Sequence, residues 1–502
     1  MARHLHPGRP ALLRASLAAA LLAAGGCGDT LLDHAADPGL LGPVCAAPLL
    51  ACGGQCLSCA PPANASSVCT DGACDFACDG GYNRCGGPSC IAESAASCGP
   101  ACAVCAAPPN ATPVCTAAHA CDFVCSPGWL RSGAGCQRAT AVSAGYVHTC
   151  ALLADGKVRC WGANFAGQLG DGTHADAPTP VDVVGLPGPA SAIAAGYAHT
   201  CALVAGAVWC WGDNTFGEIG DGTTVERPTP VAVTGISQAV ALGAGGGIAG
   251  TSFGHTCAVL LGGDLRCWGA DDAGQLGDQD SLTKPSPVPV TILPAGTAVS
   301  AVACGERHTC ALSSGGAVYC WGAFDAGQLG TGSASAQTSP AAAAIASGAS
   351  AVAAGQAHSC AIVSGVLECW GLNSSGQVNG GSPVPGTVTA PIVPALGGGF
   401  LATALGAGRA HTCALDTADV PAAAKCFGAN GSGQLGGAGN KVDVNLETPP
   451  PATAAGVTGG SDHTCALTAD GGVQCWGAND RGQLGTGDPR IAVTPPAWVS
   501  GR

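Results

Sequence analysis

The stretch from His148 to Gly170, HTCALLADGKVRCWGANFAGQLG, occurs seven times in the chain. Later copies begin at His199, His255, His308, His358, His411 and His463, at steps of 51, 56, 53, 50, 53 and 52 residues. Repetition at this period predicts stacked supersecondary units that bury their faces against one another. Within the first copy, Cys150–Leu153 alternates into a turn at Ala154–Lys157, and Val158–Trp161 returns, which is the pattern of a β-hairpin. Side chains alternate along a strand, so Cys150 and Leu152 share a face with Val158 and Cys160, while Ala151 and Trp161 occupy the other. A sheet apolar on both faces must be covered on both sides, and a ring of such sheets provides the cover.

The cysteine positions follow from the hairpin. A two-residue turn at Ala205-Gly206 sets Cys201 opposite Cys210. In most other copies the spacing is one residue longer, which a bulge beside the glycine absorbs. Opposed Cα atoms lie about 4.5–5.5 Å apart, within disulfide reach. One bridge per copy is therefore expected: Cys150–Cys160, Cys201–Cys210, Cys257–Cys267, Cys310–Cys320, Cys360–Cys369, Cys413–Cys426 and Cys465–Cys475.

Each copy ends in Gly-Gln-Leu-Gly or a variant of it, then a Pro-rich segment and a further strand, giving four strands per unit and an all-β, seven-bladed propeller. The pattern G-x-x-H-T-C-A-L…V-x-C-W-G-x-N-x-x-G-Q-L-G resembles the repeat of the regulator of chromosome condensation family, whose members are seven-bladed β-propellers. The resemblance covers about Arg138–Arg502. It implies either of two roles. One is nucleotide exchange on a small GTPase with chromatin contact, which requires a nuclear or cytosolic chain with basic segments. The other is protein binding through propeller loops, as in a secreted bacterial β-lactamase inhibitory member of the family.

The N-terminal region speaks for the second role. Residues 1–26 carry Arg3, Arg9 and Arg14 and an apolar run from Leu17 to Ala24, too short to span a bilayer, and are expected to be a signal peptide. The run ends in Ala24-Gly25-Gly26-Cys27, similar to a bacterial lipobox, so Cys27 is the expected lipidation site and 27–44 a tether. Ordinary secretion is the alternative. Residues 45–137 hold sixteen cysteines in two similar modules, 45–89 and 90–137. Disulfides are expected there, with eight cysteines per module leaving many pairings open. Zinc at Cys56-x-x-Cys59 and Cys102-x-x-Cys105 is the rival reading. With 32 cysteines in all, an oxidising compartment is expected. Cys304 is left over and reads as a small buried hydrophobe.

No catalytic constellation is present, and neither an enzyme activity, a metal nor a cofactor is expected. The seven histidines read as hydrogen-bonding residues spread round a circle, and the tryptophans as packing between blades. The Asp-Gly-Thr turns at Asp171 and Asp221 lack the acidic ligand set of a calcium loop, and copies four to seven do not keep the Asp. A formal charge of −14 argues against nucleic acid. The expectation is thus an exported, lipid-anchored envelope protein, on a bacterial outer membrane or cell surface, that binds a protein partner. The loops ahead of Gly-Gln-Leu-Gly vary most between copies and make the candidate site, with Phe165, Phe216, Asp272, Phe324, Asp480 and Arg481 as partner-binding residues. Copy three also inserts residues at Gly245–Gly250, and copy six lengthens its hairpin at Asp419–Ala423. Ring closure is expected through the last strand, Thr494–Val499, pairing with the start of the first copy, which has no such strand ahead of it.

Overall fold

In a computed structural model the described residues are 104–116, 118–248, 252–332, 344–380, 386–396, 400–416, 423–437, 441–444, 454–489 and 493–501, with short strands between 49 and 92. The signal peptide, Cys27, the tether, parts of the Cys-rich modules and the lengthened turn of copy six lie outside them. The chain divides into two compact units, one within 1–105 plus 115–121, the other comprising 106–114 plus 122–502. In the first, Cys105 is bonded to Cys121, which removes it from the zinc reading.

The second unit contains the propeller. Each blade runs outward from the axis as consecutive antiparallel strands, as in blade one: Ala139–Ala144, His148–Leu153, Val158–Gly162 and Ala177–Asp182. Six blades have four strands, and blade four has three among the described residues, with a bridge from Val318 to Ile345 beside them. The hairpins follow the alternation. Cys201 faces Cys210 across a turn in which Ala205 and Gly206 take φ of 49° and 81°. The longer spacing of blade one goes into a three-residue turn, closed by the Leu153 N–H donating to the Lys157 carbonyl, with Gly156 at φ 81°.

All seven expected disulfides are present, each across one hairpin with Cα atoms 4.1 Å apart. They define the seams. Cys150 and Cys160 pack against Trp211 of blade two, and the same pairing recurs round the ring with Trp268, Trp321, Trp370, Phe427, Trp476 and Trp161. Each seam is thus one blade's disulfide against the next blade's aromatic ring. Cys304 is buried and free, in the seam with Cys257–Cys267.

Polar bonds bind the same seams. Thr149 donates its hydroxyl proton to the Gln483 carbonyl, so its oxygen is left to accept from His463 Nε2–H at 2.9 Å. His148, His199, His255, His308, His358 and His411 bond in the same way to Thr200, Thr256, Thr309, Ser359, Thr412 and Thr464, completing a circle of seven. The carbonyl that takes the Thr proton also accepts an indole N–H, as Gln168 does from Trp211. Alanine at any glycine of the G-x-x-H turns, such as Gly145, would collide with the next blade's glycine carbonyl.

Ring closure differs from expectation. Val493–Trp498 pairs with Val473–Gly477 as the outer strand of blade seven, and blade one has four strands of its own. The structural unit starts at Ala139, ahead of the histidine, so blade one is one uninterrupted piece of chain and needs no strand from the far end. Blades seven and one are instead joined by the same seam bonds as the rest, with Ser461 N–H donating to the Tyr146 carbonyl and an Arg138–Asp470 ion pair at 2.7 Å.

Candidate protein-binding face

The turn between first and second strands and the loop between third and fourth emerge on the same face of every blade, because alternate strands run in opposite directions. This face therefore carries both the G-x-x-H turns and the variable loops. The first strands enclose a channel of about 370 Å³ lined mainly by Gly, Ala and Val. Its mouth is rimmed by Tyr146, Glu306, Gln356, Arg409 and Ser461, each directly after the turn glycine. Tyr146 and Tyr197 touch, with ring centroids 4.8 Å apart. Glu306 is buried, and desolvation holds its carboxyl above the usual carboxylate range. Sequence reasoning missed this rim. Its signal was the first of two variable residues between a repeated Gly and a repeated His, visible as a site only once the turns converge on an axis.

The variable loops share one frame. Asn164 Oδ1 accepts the Leu169 N–H at 3.0 Å, and Gln168 Oε1 accepts the Ala166 N–H at 2.9 Å. The frame holds the tip residue outward, and the three expected phenylalanines occupy three different places in it. Phe165 is at the tip and 51% exposed. Phe216 lies one position later and packs on Phe253, centroids 5.3 Å apart. Phe324 stands at the Asn164 position, half-buried against the seam of blades four and five.

The copy-three insertion extends a hairpin, with Gly247 opposite Phe253 and Ile248 opposite Ser252 beyond the level of His255. Phe253 thereby meets Phe216 of blade two and the Arg307 guanidinium of blade four, 5.4 Å from its ring centroid. Arg307 in turn pairs with Asp272 of blade three. Four residues from three blades thus form one aromatic and cationic patch beside the channel mouth. Asp480 and Arg481 are both exposed at the tip of blade seven's loop, and Arg481 reaches Asp176 of blade one at 3.3 Å. The face brings together Phe216 and Asp272, while Phe165 and the Asp480–Arg481 pair stand on other blades and Phe324 turns inward.

Two loop positions put a carboxyl where the frame has an amide and keep its bond. Glu218 replaces the repeated Gln, and burial, followed by the nearby Asp213 carboxylate, pushes its carboxyl up to about 8. Asp271 replaces the repeated Asn, and burial pushes it up to about 7, with Asp278 and Asp280 adding to the shift.

Seven antiparallel sheets around a channel, six of four strands and one of three among the described residues, with variable loops gathered on one face, define a β-propeller. Two family models described as "Regulator of chromosome condensation (RCC1) repeat" match the chain, one at 139–168, 190–218, 299–328 and 455–483, the other at 155–203, 205–250, 263–312 and 315–362. The chain is 29% identical over 246 residues to human "Probable E3 ubiquitin-protein ligase HERC3", covering 48% of this chain and 18% of the relative. It is 37% identical over 125 residues to the Arabidopsis thaliana "Ultraviolet-B receptor UVR8", covering 24% and 28%. These alignments span less than a third of each relative. Prp20p of Saccharomyces cerevisiae, solved in a study of its binding to Gsp1p and histones, superposes with TM-score 0.58 at 20% identity over 72% of this chain and 87% of that one, which shows the shared fold.

Proposed function

We propose that this chain is an exported, lipid-anchored cell-envelope protein whose propeller is a non-catalytic module for binding a protein partner, without nucleic acid. The observation that carries the binding reading is the patch of Phe216, Phe253, Arg307 and Asp272, assembled from three blades by an insertion found in one copy alone. The ring seams do not require this hairpin, and aromatic and arginine side chains are those that dominate protein interfaces. Export is supported by the seven buried disulfides, which persist in oxidising compartments, and by the Ala24–Cys27 motif.

Site-specific photo-crosslinking in the native envelope tests the reading. Probes at Phe165 and Phe253 are expected to give a discrete adduct with another protein, and probes at Asp155 and Ala205, in turns on the opposite face, are not. Equal adducts from both faces, or none, would exclude this face as the site. Cys27→Ser is expected to shift the chain from the membrane to the soluble fraction. Accelerated nucleotide release from a small GTPase by the purified chain would favour the exchange reading instead.

A further inference from the structure

We infer that the blade-three loop is a binding site for a hard divalent cation of the calcium type, built by Asp271, Asp278 and Asp280. The other blades act as internal controls. In blade one, Asn164 stands at this position and its Nδ2 donates to Asp171 Oδ1, seven residues on, and to the carbonyl of Thr173, nine on. In blade two, Asn214 donates to Asp221, to the Thr223 carbonyl and to the Val225 carbonyl, eleven on. In blade seven the amide of Asn479 donates to Thr486 and to the Asp488 carbonyl. The centre of this loop is therefore a place where oxygens converge on a donor.

Blade three keeps the convergence and removes the donor. Asp271 is fully buried; its Oδ1 still accepts the Leu276 N–H at 2.8 Å, but its Oδ2 has no hydrogen-bond partner. The carboxylates seven and nine residues on, Asp278 and Asp280, each bring an oxygen within 4.8 Å of it and of each other. The carbonyl positions equivalent to those used in blade two are Asp280 and Leu282. An oxygen-only set of carboxylates and carbonyls is what calcium takes. Lys284 supplies one positive charge to Asp278 at 3.3 Å and to Asp280 at 2.5 Å, leaving three carboxylates against one ammonium. Burying an acceptor among acceptors is costly unless a cation or a proton intervenes, and a metal satisfies all three groups at once.

The test uses the full-length purified chain with Ca²⁺ as the probe. Titration calorimetry is expected to show one Ca²⁺ bound per chain and a raised thermal midpoint that chelator reverses. Asp271→Asn restores the amide that the same frame holds in blades one and two, so it is expected to fold normally. It should weaken Ca²⁺ binding by more than the about 10-fold that loss of an outer-shell group costs. Asp171→Asn in blade one is expected to bind as the parent does. Lys284→Met, which removes the competing ammonium, should bind more tightly. No binding at millimolar Ca²⁺, parent-like binding by Asp271→Asn, or unchanged or weaker binding by Lys284→Met would overturn the assignment. Parent-like binding by Asp271→Asn would show that Ca²⁺ sits elsewhere on the chain.

Discussion

Each seam histidine must stay neutral to do its work. The Thr or Ser hydroxyl it meets has already given its proton to a carbonyl, so the imidazole donates from Nε2 and keeps Nδ1 bare. Nδ1 of His148, His255, His308, His358, His411 and His463 has no hydrogen-bond partner. Burial holds the ring nitrogens far below their ordinary value, to about 3 for His148, His255, His308 and His358 and about 4 for His199, His411 and His463. The unfolded chain takes up these protons near pH 6.5, so the contribution to stability is complete above that pH and declines as pH falls toward 3–4. Each histidine adds a slope of up to about 1.4 kcal/mol per pH unit. Urea midpoints measured from pH 7.5 to 4.5 are expected to fall steeply and continuously; a flat profile down to pH 5 would mean that the ring does not hold its histidines neutral.

At the scale of the blade, one seam departs from the rule and does so twice. Blade six presents Phe427 where the other blades present Trp, and the facing loop of blade five carries Asn379 where others carry glycine. At those glycines the neighbour's indole leaves no room: a Cβ at Gly170 or Gly330 would collide with Trp211 or Trp370. A side chain at 379 thus accompanies a smaller ring at 427. Phe427→Trp alone is expected to destabilise by about 1–3 kcal/mol through overpacking, and Asn379→Gly in the same chain to recover most of it, because Gln377 then gains the indole donor its counterparts have. Additive effects in a double-mutant cycle of thermal melts would show the two sites to be independent.

The hairpins, their disulfides and the two-sided burial were legible in the sequence because a period of two fixes which side chains share a face. The loops have no such period. Phe165, Phe216 and Phe324 look alike in the sequence, yet one residue of offset inside the Asn–Gln frame sends the first to solvent, the second onto a neighbouring hairpin and the third into a seam. The patch was half legible: Phe216 and Asp272 were expected there, whereas Phe253 and Arg307 join it through pairing that only the extended hairpin creates.

For the molecule as a whole, closure rests on side-by-side packing between blades seven and one. Val499 is buried in that seam with Leu130, Trp161 and Leu484. Deleting 493–502 removes this side chain and the outer strand of blade seven together. A buried valine alone contributes about 1.5–3 kcal/mol, so the thermal midpoint of the deletion variant is expected to drop by several degrees. An unchanged midpoint would mean that the seam holds without its last strand. The exchange of a strand between chain ends, expected from the sequence, gave the Pro-rich strand to the following copy, whereas it is the outer strand of its own blade.

Because blade and repeat coincide, the order in which the blades are written along the chain is arbitrary. A gene cut within the linker at 183–191 and rejoined through the old ends would encode the same seven intact sheets in rotated order. By the same logic, an unequal crossover between two copies adds or removes one whole blade and leaves no orphan strand. The circumference can change by a single recombination event, and the new seam is built from the same disulfide and indole as the old.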